Sequence, residues 1–175
     1  LVTILLPFAL AVPGISPADP LQDDYAELET QRRSLEAERI DYESRIENGA
    51  SRVARQKATW NACVERISYP ERVCWEEPRL DAAAREGVLA QRRGEFEALR
   101  GEFEIERREL ENRRRDIEAL FGARGRGTAY ERAFRSYMQD TESYLGQTRQ
   151  TLLQGYGSYL SDVTAYAGFI EEQAN

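Results

Sequence analysis

Residues 21–67 read LQDDYAELETQRRSLEAERIDYESRIENGASRVARQKATWNACVERI. Apolar side chains fall at Leu21, Tyr25, Leu28, Leu35, Tyr42, Ile46, Val53, Trp60, Cys63 and Ile67. Arg32, Arg39, Gly49 and Gln56 fill the same seam between them. The steps alternate between three and four without slipping over 47 residues. A 3.5 period sustained that long marks a coiled-coil seam rather than the face of an isolated globular helix. Asn48-Gly49 is the weak point of the segment, but the register survives across it, which argues for one continuous helix.

A second pattern begins near Pro78, a residue favoured in the first turn of a helix. Its seam runs Leu89, Arg92, Phe96, Leu99, Phe103, Glu106, Leu110, Arg113, Ile117, Leu120 and stops at the glycine- and arginine-rich stretch 122–127. Only Ser68–Glu77, with Pro70, separates the two patterns, so they should fold back on one another as an antiparallel hairpin. Cys63 and Cys74, the only cysteines, then face each other across its tip. In an oxidising compartment they would pair, and closing so short a loop stabilises a fold by about 2–3 kcal/mol.

A third pattern opens at Thr128-x-x-Glu131, a capping-box spacing. It carries Tyr130, Phe134, Tyr137, Tyr144, Leu152, Tyr156, Tyr159, Val163, Tyr166 and Ile170. Its seam shifts near Thr148–Leu152, as a four-residue stutter would make it. The glycines at 146, 155, 157 and 168 weaken a helix, and the Tyr, Thr and Ser content of 152–166 also suits a strand. Three segments of similar length give an all-α fold, an elongated antiparallel three-helix coiled-coil bundle. The alternative is a two-helix hairpin with a separate third helix. The organisation expected is an N-terminal hydrophobic segment at 1–18, the disulfide-tipped hairpin at 19–121, a linker at 122–127 and a Tyr-rich helix at 128–175.

Composition separates the third segment from the others. In 19–121, 44 of 103 residues are charged; in 122–175, 11 of 54 are. Six of the nine tyrosines lie in that shorter part: Tyr130, Tyr137, Tyr144, Tyr156, Tyr159 and Tyr166. Tyrosine joins a large apolar body to a polar tip and is favoured at interfaces. The stripe therefore has two readings, packing on the hairpin or binding a protein partner. Glu104–Arg108, Glu109–Arg113 and Glu111–Arg115 stand at i,i+4 spacing and read as support for a solvated helix. Arg113–Arg115 is the one basic cluster, and acids surround it.

Several classes of function are disfavoured. The chain has no histidine, the commonest general base and metal ligand, and two cysteines alone do not make a zinc site. No catalytic residue, metal or cofactor is expected. A net charge of −7 argues against nucleic-acid binding, which needs a basic face. Residues 1–15, LVTILLPFALAVPGI, are uncharged and of the length of a signal-peptide core, with small residues suited to cleavage before Val12 or Asp19. Export to a periplasmic or extracellular compartment follows. The alternative is an uncleaved segment that anchors the protein and brings it close to a membrane.

Residues 63–81, CVERISYPERVCWEEPRLD, resemble the cysteine-bracketed stretch of periplasmic lysozyme-inhibitor proteins, with a different cysteine spacing and over about a tenth of the chain. In outline the chain is also similar to the long-helix holdase chaperones of the periplasm. It has no counterpart of their β-rich body, and it is acidic where their arms are basic. The function expected is an exported, non-enzymatic structural or adaptor protein of the cell envelope. It would bind a protein partner through its Tyr-rich helix, or self-associate through coiled-coil contacts. The alternative is an inhibitor or chaperone acting through the hairpin tip.

Overall fold

A computed structural model describes residues 20–66, 76–124 and 127–174. They form α1 (Pro20–Arg66), α2 (Glu76–Arg124), α3 (Thr128–Gln147), a π-helical turn (Thr148–Leu153) and α4 (Gln154–Ala174). Gly127 is the one described residue outside a helix. The segment 152–166, whose composition also suits a strand, is helical. Together α3, the π turn and α4 make one rod, as long as α1. At 1.5 Å per residue each rod is about 70 Å long.

The rods pack up-down-up. Leu21 at the start of α1 meets Ile117 near the end of α2 and Tyr130, Phe134 and Tyr137 at the start of the third rod. Leu28 and Leu35 meet Tyr144, Leu145 and Leu153 at mid-length. Trp60 meets Ala82, Tyr166 and Ile170 at the far end. The three-helix bundle is the fold, and the third helix is docked in it.

That docking is deeper than a hairpin with an added helix. Of the twenty buried residues among those described, fourteen lie on the third rod, four on α1 and two on α2. Both α1 and α2 pack on this rod along its length. Charge explains the choice. A rod with few charges can be enclosed on two sides, whereas a half-charged one must keep most of its surface in water.

Two glycines let the rods close up. A Cβ on Gly49 would stand 2.8 Å from Val163 Cγ1, and one on Gly155 would overlap the Cε1–Cζ edge of the Phe96 ring. α1 runs unbroken through Asn48-Gly49, so the apparent weak point is a contact point.

The seam shift in the third rod has a local cause. From Tyr130 to Thr148 the core positions alternate in steps of four and three. Leu152 and Tyr156 then follow in two further steps of four, and the alternation resumes through Val163 to Ile170. One residue has been added, not four. A turn with i→i+5 bonding absorbs one extra residue, and the π turn lies at that place.

Other sequence expectations shift by small amounts. Gly127 is the N-cap of α3 without a side-chain cap bond, so Thr128 is the first helical residue and the capping box is not formed. α2 continues to Arg124, which takes the first half of the expected linker into the helix. On α2 the seam drifts by one position: Leu120 is 39 % exposed, while Phe121 lies tilted against Tyr130 with ring centres 4.7 Å apart. The hydrophobic segment at 1–18 and Cys74 lie outside the described residues. Cys63 is half-buried and meets no cysteine among the described residues, with Sγ 4.0 Å from the Ala174 carbonyl oxygen. The expected bridge therefore has one end outside the described residues.

Candidate functional site

Because α1 and α2 both lean on the third rod, a cleft runs between them with that rod as its floor. One part of it has a volume of about 330 Å³. The floor there is Tyr137, Thr141, Tyr144, Leu145, Thr148, Leu152 and Leu153, with Leu35, Phe103 and Leu110 as walls. A second recess of about 370 Å³ continues toward the far end, lined by Ile46, Ala50, Phe96, Tyr156 and Tyr159. Arg100 lines both.

Arginine and glutamate alternate along the lips. On α1 the order is Glu29, Arg32, Glu36, Arg39, Glu43; on α2 it is Arg93, Glu97, Arg100, Glu104, Arg107, Glu111, Arg114. The steps are three and four, so each row stays on one edge of its helix. Arg39 donates to Glu36 at 2.6 Å and to Glu43 at 2.7 Å; Arg107 donates to Glu104 at 2.7 Å and to Glu111 at 3.0 Å. Hydrogen bonding from Arg39 holds the Glu36 carboxyl below its ordinary range. The pairs expected from sequence on α2 thus regroup: Glu104 and Glu111 share Arg107. Arg113 reaches Asp140 and Ser136, and Arg115 reaches Asn112.

Side-chain contacts cross from α1 to α2 at the recesses, and beyond them Lys57 donates to Glu86 at 2.6 Å. Arg114 donates to the Tyr25 hydroxyl at 3.3 Å, and Arg100 donates to Glu43 at 3.3 Å. The Tyr156 hydroxyl donates to the same Glu43 oxygen at 2.8 Å. Burial, together with that carboxylate, pushes the Tyr156 phenol up to about 12. Burial likewise raises the phenols of Tyr137, Tyr144, Tyr159 and Tyr166.

Five of the six candidate tyrosines are buried in the bundle: Tyr130, Tyr137, Tyr144, Tyr156 and Tyr166. Tyr130 and Tyr137 belong to the cluster at the N-terminal end of α1, Tyr144 to the middle and Tyr166 to the far end. Tyr156 stacks on Phe96 with centroids 5.7 Å apart. Tyr159 alone is half-buried, tilted against Phe96 at the mouth of the second recess. The stripe therefore divides: most of it builds the core, and four of its rings also line the cleft.

The lips are legible in the sequence as charge pairs but not as lips. Their alternation can be read directly; that it borders a cleft depends on where the third rod lies. Among the described residues no group of metal-ligating side chains comes together, and no helix is long and apolar enough to cross a membrane. No protein-family model, curated protein or solved structure matches this chain.

Proposed function

We propose that this protein is an exported, non-enzymatic structural or adaptor rod of the cell envelope, holding a protein partner at the recess around Tyr159. The observation that carries the reading is the half-buried Tyr159–Phe96 pair above Tyr156, flanked by Ile46 and charged lips. Aromatic rings with a polar rim are the usual composition of an interface centre. A rod some 70 Å long, laced by surface ion pairs, suits spacing or bridging between partners. Export rests on the uncharged run at 1–15.

The test is in-cell photocrosslinking from position 159, with Gly146 on the outer face of α3 as the control site. One stoichiometric partner captured at 159 and not at 146 supports the adaptor reading. Many unfolded clients would replace it with a chaperone. Crosslinks confined to the chain itself at both sites would leave no partner at this recess and overturn it.

A further inference from the structure

One carboxylate at the recess around Tyr159 joins all three rods. Glu43 Oε1 accepts one donor from each: Arg39 on α1 at 2.7 Å, Arg100 on α2 at 3.3 Å and the Tyr156 hydroxyl on α4 at 2.8 Å. Glu43, Arg100 and Tyr156 all line the recess. An ionised carboxylate only accepts, so it can gather donors from several directions.

The rings beside it form a layer that also reaches every rod. The Tyr156 ring is 19° from parallel to Tyr42 of α1 and 9° from parallel to Phe96 of α2, with centroids 6.4 and 5.7 Å away. Phe96 in turn lies against Tyr159 at 5.9 Å and over Gly155, which has no Cβ to displace it. α1 and α2 pack on the third rod far more than on each other. At this level, therefore, their separation depends on the Tyr156 ring and on the Arg100–Glu43 bridge. Packed rings yield little to compression, so the layer acts as a spacer.

From this convergence we propose that Glu43 is the positioning residue of the recess. Its carboxylate fixes the Tyr156 ring and the distance from α1 to α2. It thereby sets the width of the opening in which Phe96 and Tyr159 meet a partner's apolar side chain. The adaptor reading supplies what enters the recess, and the inference rests on it to that extent. The role is one of geometry more than of stability. The Arg100 and Glu43 side chains are 47 % and 30 % exposed, and an ion pair so open to water adds little to folding. Glutamine at this position keeps the shape and can still accept from Tyr156. It loses the charge that draws Arg39 and Arg100 to the same oxygen.

The experiment compares Glu43→Gln with Glu36→Gln in the full chain. Glu36 is bonded to the same Arg39, within α1. Methyl NMR signals of Ile46 and Ala50, which line the recess, should shift in E43Q and stay in place in E36Q. Ile117, in the cluster at the other end, should stay in place in both. Tyrosinate absorbance should show the Tyr156 transition moving down from about 12 in E43Q alone. Photocrosslinking yield from position 159 should fall roughly three- to tenfold in E43Q, with the melting temperature little changed. R100Q and Y156F each remove one arm of the contact while leaving Glu43 itself, and each should also shift Ile46. They keep the test open should E43Q fold poorly. Unmoved Ile46 and Ala50 signals, a Tyr156 transition that stays where it was, or undiminished capture at 159 would each overturn the positioning role. A wild-type chain that captures nothing at 159 overturns the adaptor reading instead, and the methyl and phenol signals then decide the role of Glu43.

Discussion

The third rod and α2 are of nearly equal length and lie side by side, yet one is the core of the molecule and the other is mostly surface. The third rod supplies fourteen of the twenty buried residues; α2 supplies Ala82 and Ile117. On α2, Leu80, Val88 and Ile105 are 59–71 % exposed, and a Cβ added at Gly87, Gly94 or Gly101 would meet nothing within 4 Å. The lesson is that a heptad pattern tells which edge of a helix turns inward, not how deeply it is enclosed. Enclosure follows the charge density of the flanks, because each charged flank must stay hydrated.

The largest effect should come from moving the seam itself. Deleting Gln139, within the regular part of α3, turns everything after it by about 100° relative to the earlier core positions. Loss of the cooperative thermal transition is expected by circular dichroism. Deleting Gln150, inside the π turn, should cost no more than about 1–2 kcal/mol. It removes the added residue and restores an α-helical path with the same stripe inward. Equal damage from both would mean that the π turn does not absorb the insertion.

Next comes a matched pair of isoleucines. Ile170 on α4 is fully enclosed, and Ile170→Ala should lower unfolding free energy by about 2–5 kcal/mol in urea titration. Ile105 on α2 is 59 % exposed, and Ile105→Ala should stay within about 0.5 kcal/mol. Similar losses at the two sites would break the contrast between the rods.

Glycines should respond with opposite signs. Gly155→Ala on α4 drives a methyl group into the Phe96 ring and should destabilise by about 1–3 kcal/mol. Gly94→Ala on α2 meets open space and should stabilise by about 0.5–1 kcal/mol, since alanine loses less backbone freedom in a helix. Melting curves of the two variants decide the matter, and a loss at Gly94 would show that α2's outer face is already covered.

The smallest effect sharpens the comparison through pH. The Tyr156 phenol is pushed up to about 12, with Tyr137, Tyr144, Tyr159 and Tyr166 also raised. A raised phenol keeps its proton longer in the folded state than in the unfolded one. Its contribution is complete below the unfolded value near 10 and is lost as pH climbs through the folded value. Stability should therefore fall between about pH 10 and 12, and Tyr156→Phe should flatten that slope. Denaturant midpoints across this range, with tyrosinate absorbance followed in parallel, would expose an unchanged slope and so remove Tyr156 from the account.

All three rods, and the inward edge of α1 at its described seam positions other than the exposed Arg32, are legible in the sequence, because a 3.5 period is a local property of the chain. Thr148–Leu152 is legible too, as the place where the third seam shifts. The size of that shift is not, since a four-residue stutter and a one-residue insertion both interrupt the alternation at the same place. On α2, neighbouring charged and apolar residues such as Glu106–Arg107 and Leu120–Phe121 leave the inward edge ambiguous by one position.

Periodicity and charge belong to the chain alone: they specify three long amphipathic helices, one of them poor in charge and rich in tyrosine. Which rod is enclosed by the other two is decided by tertiary packing, and that in turn sends most of the tyrosine stripe into the core. The same packing makes the alternating arginines and glutamates the borders of a cleft. Local spacing fixes the face that each helix presents, but a cleft is made by three faces together, and their mutual placement depends on contacts between residues more than a hundred positions apart, such as Tyr156 with Glu43.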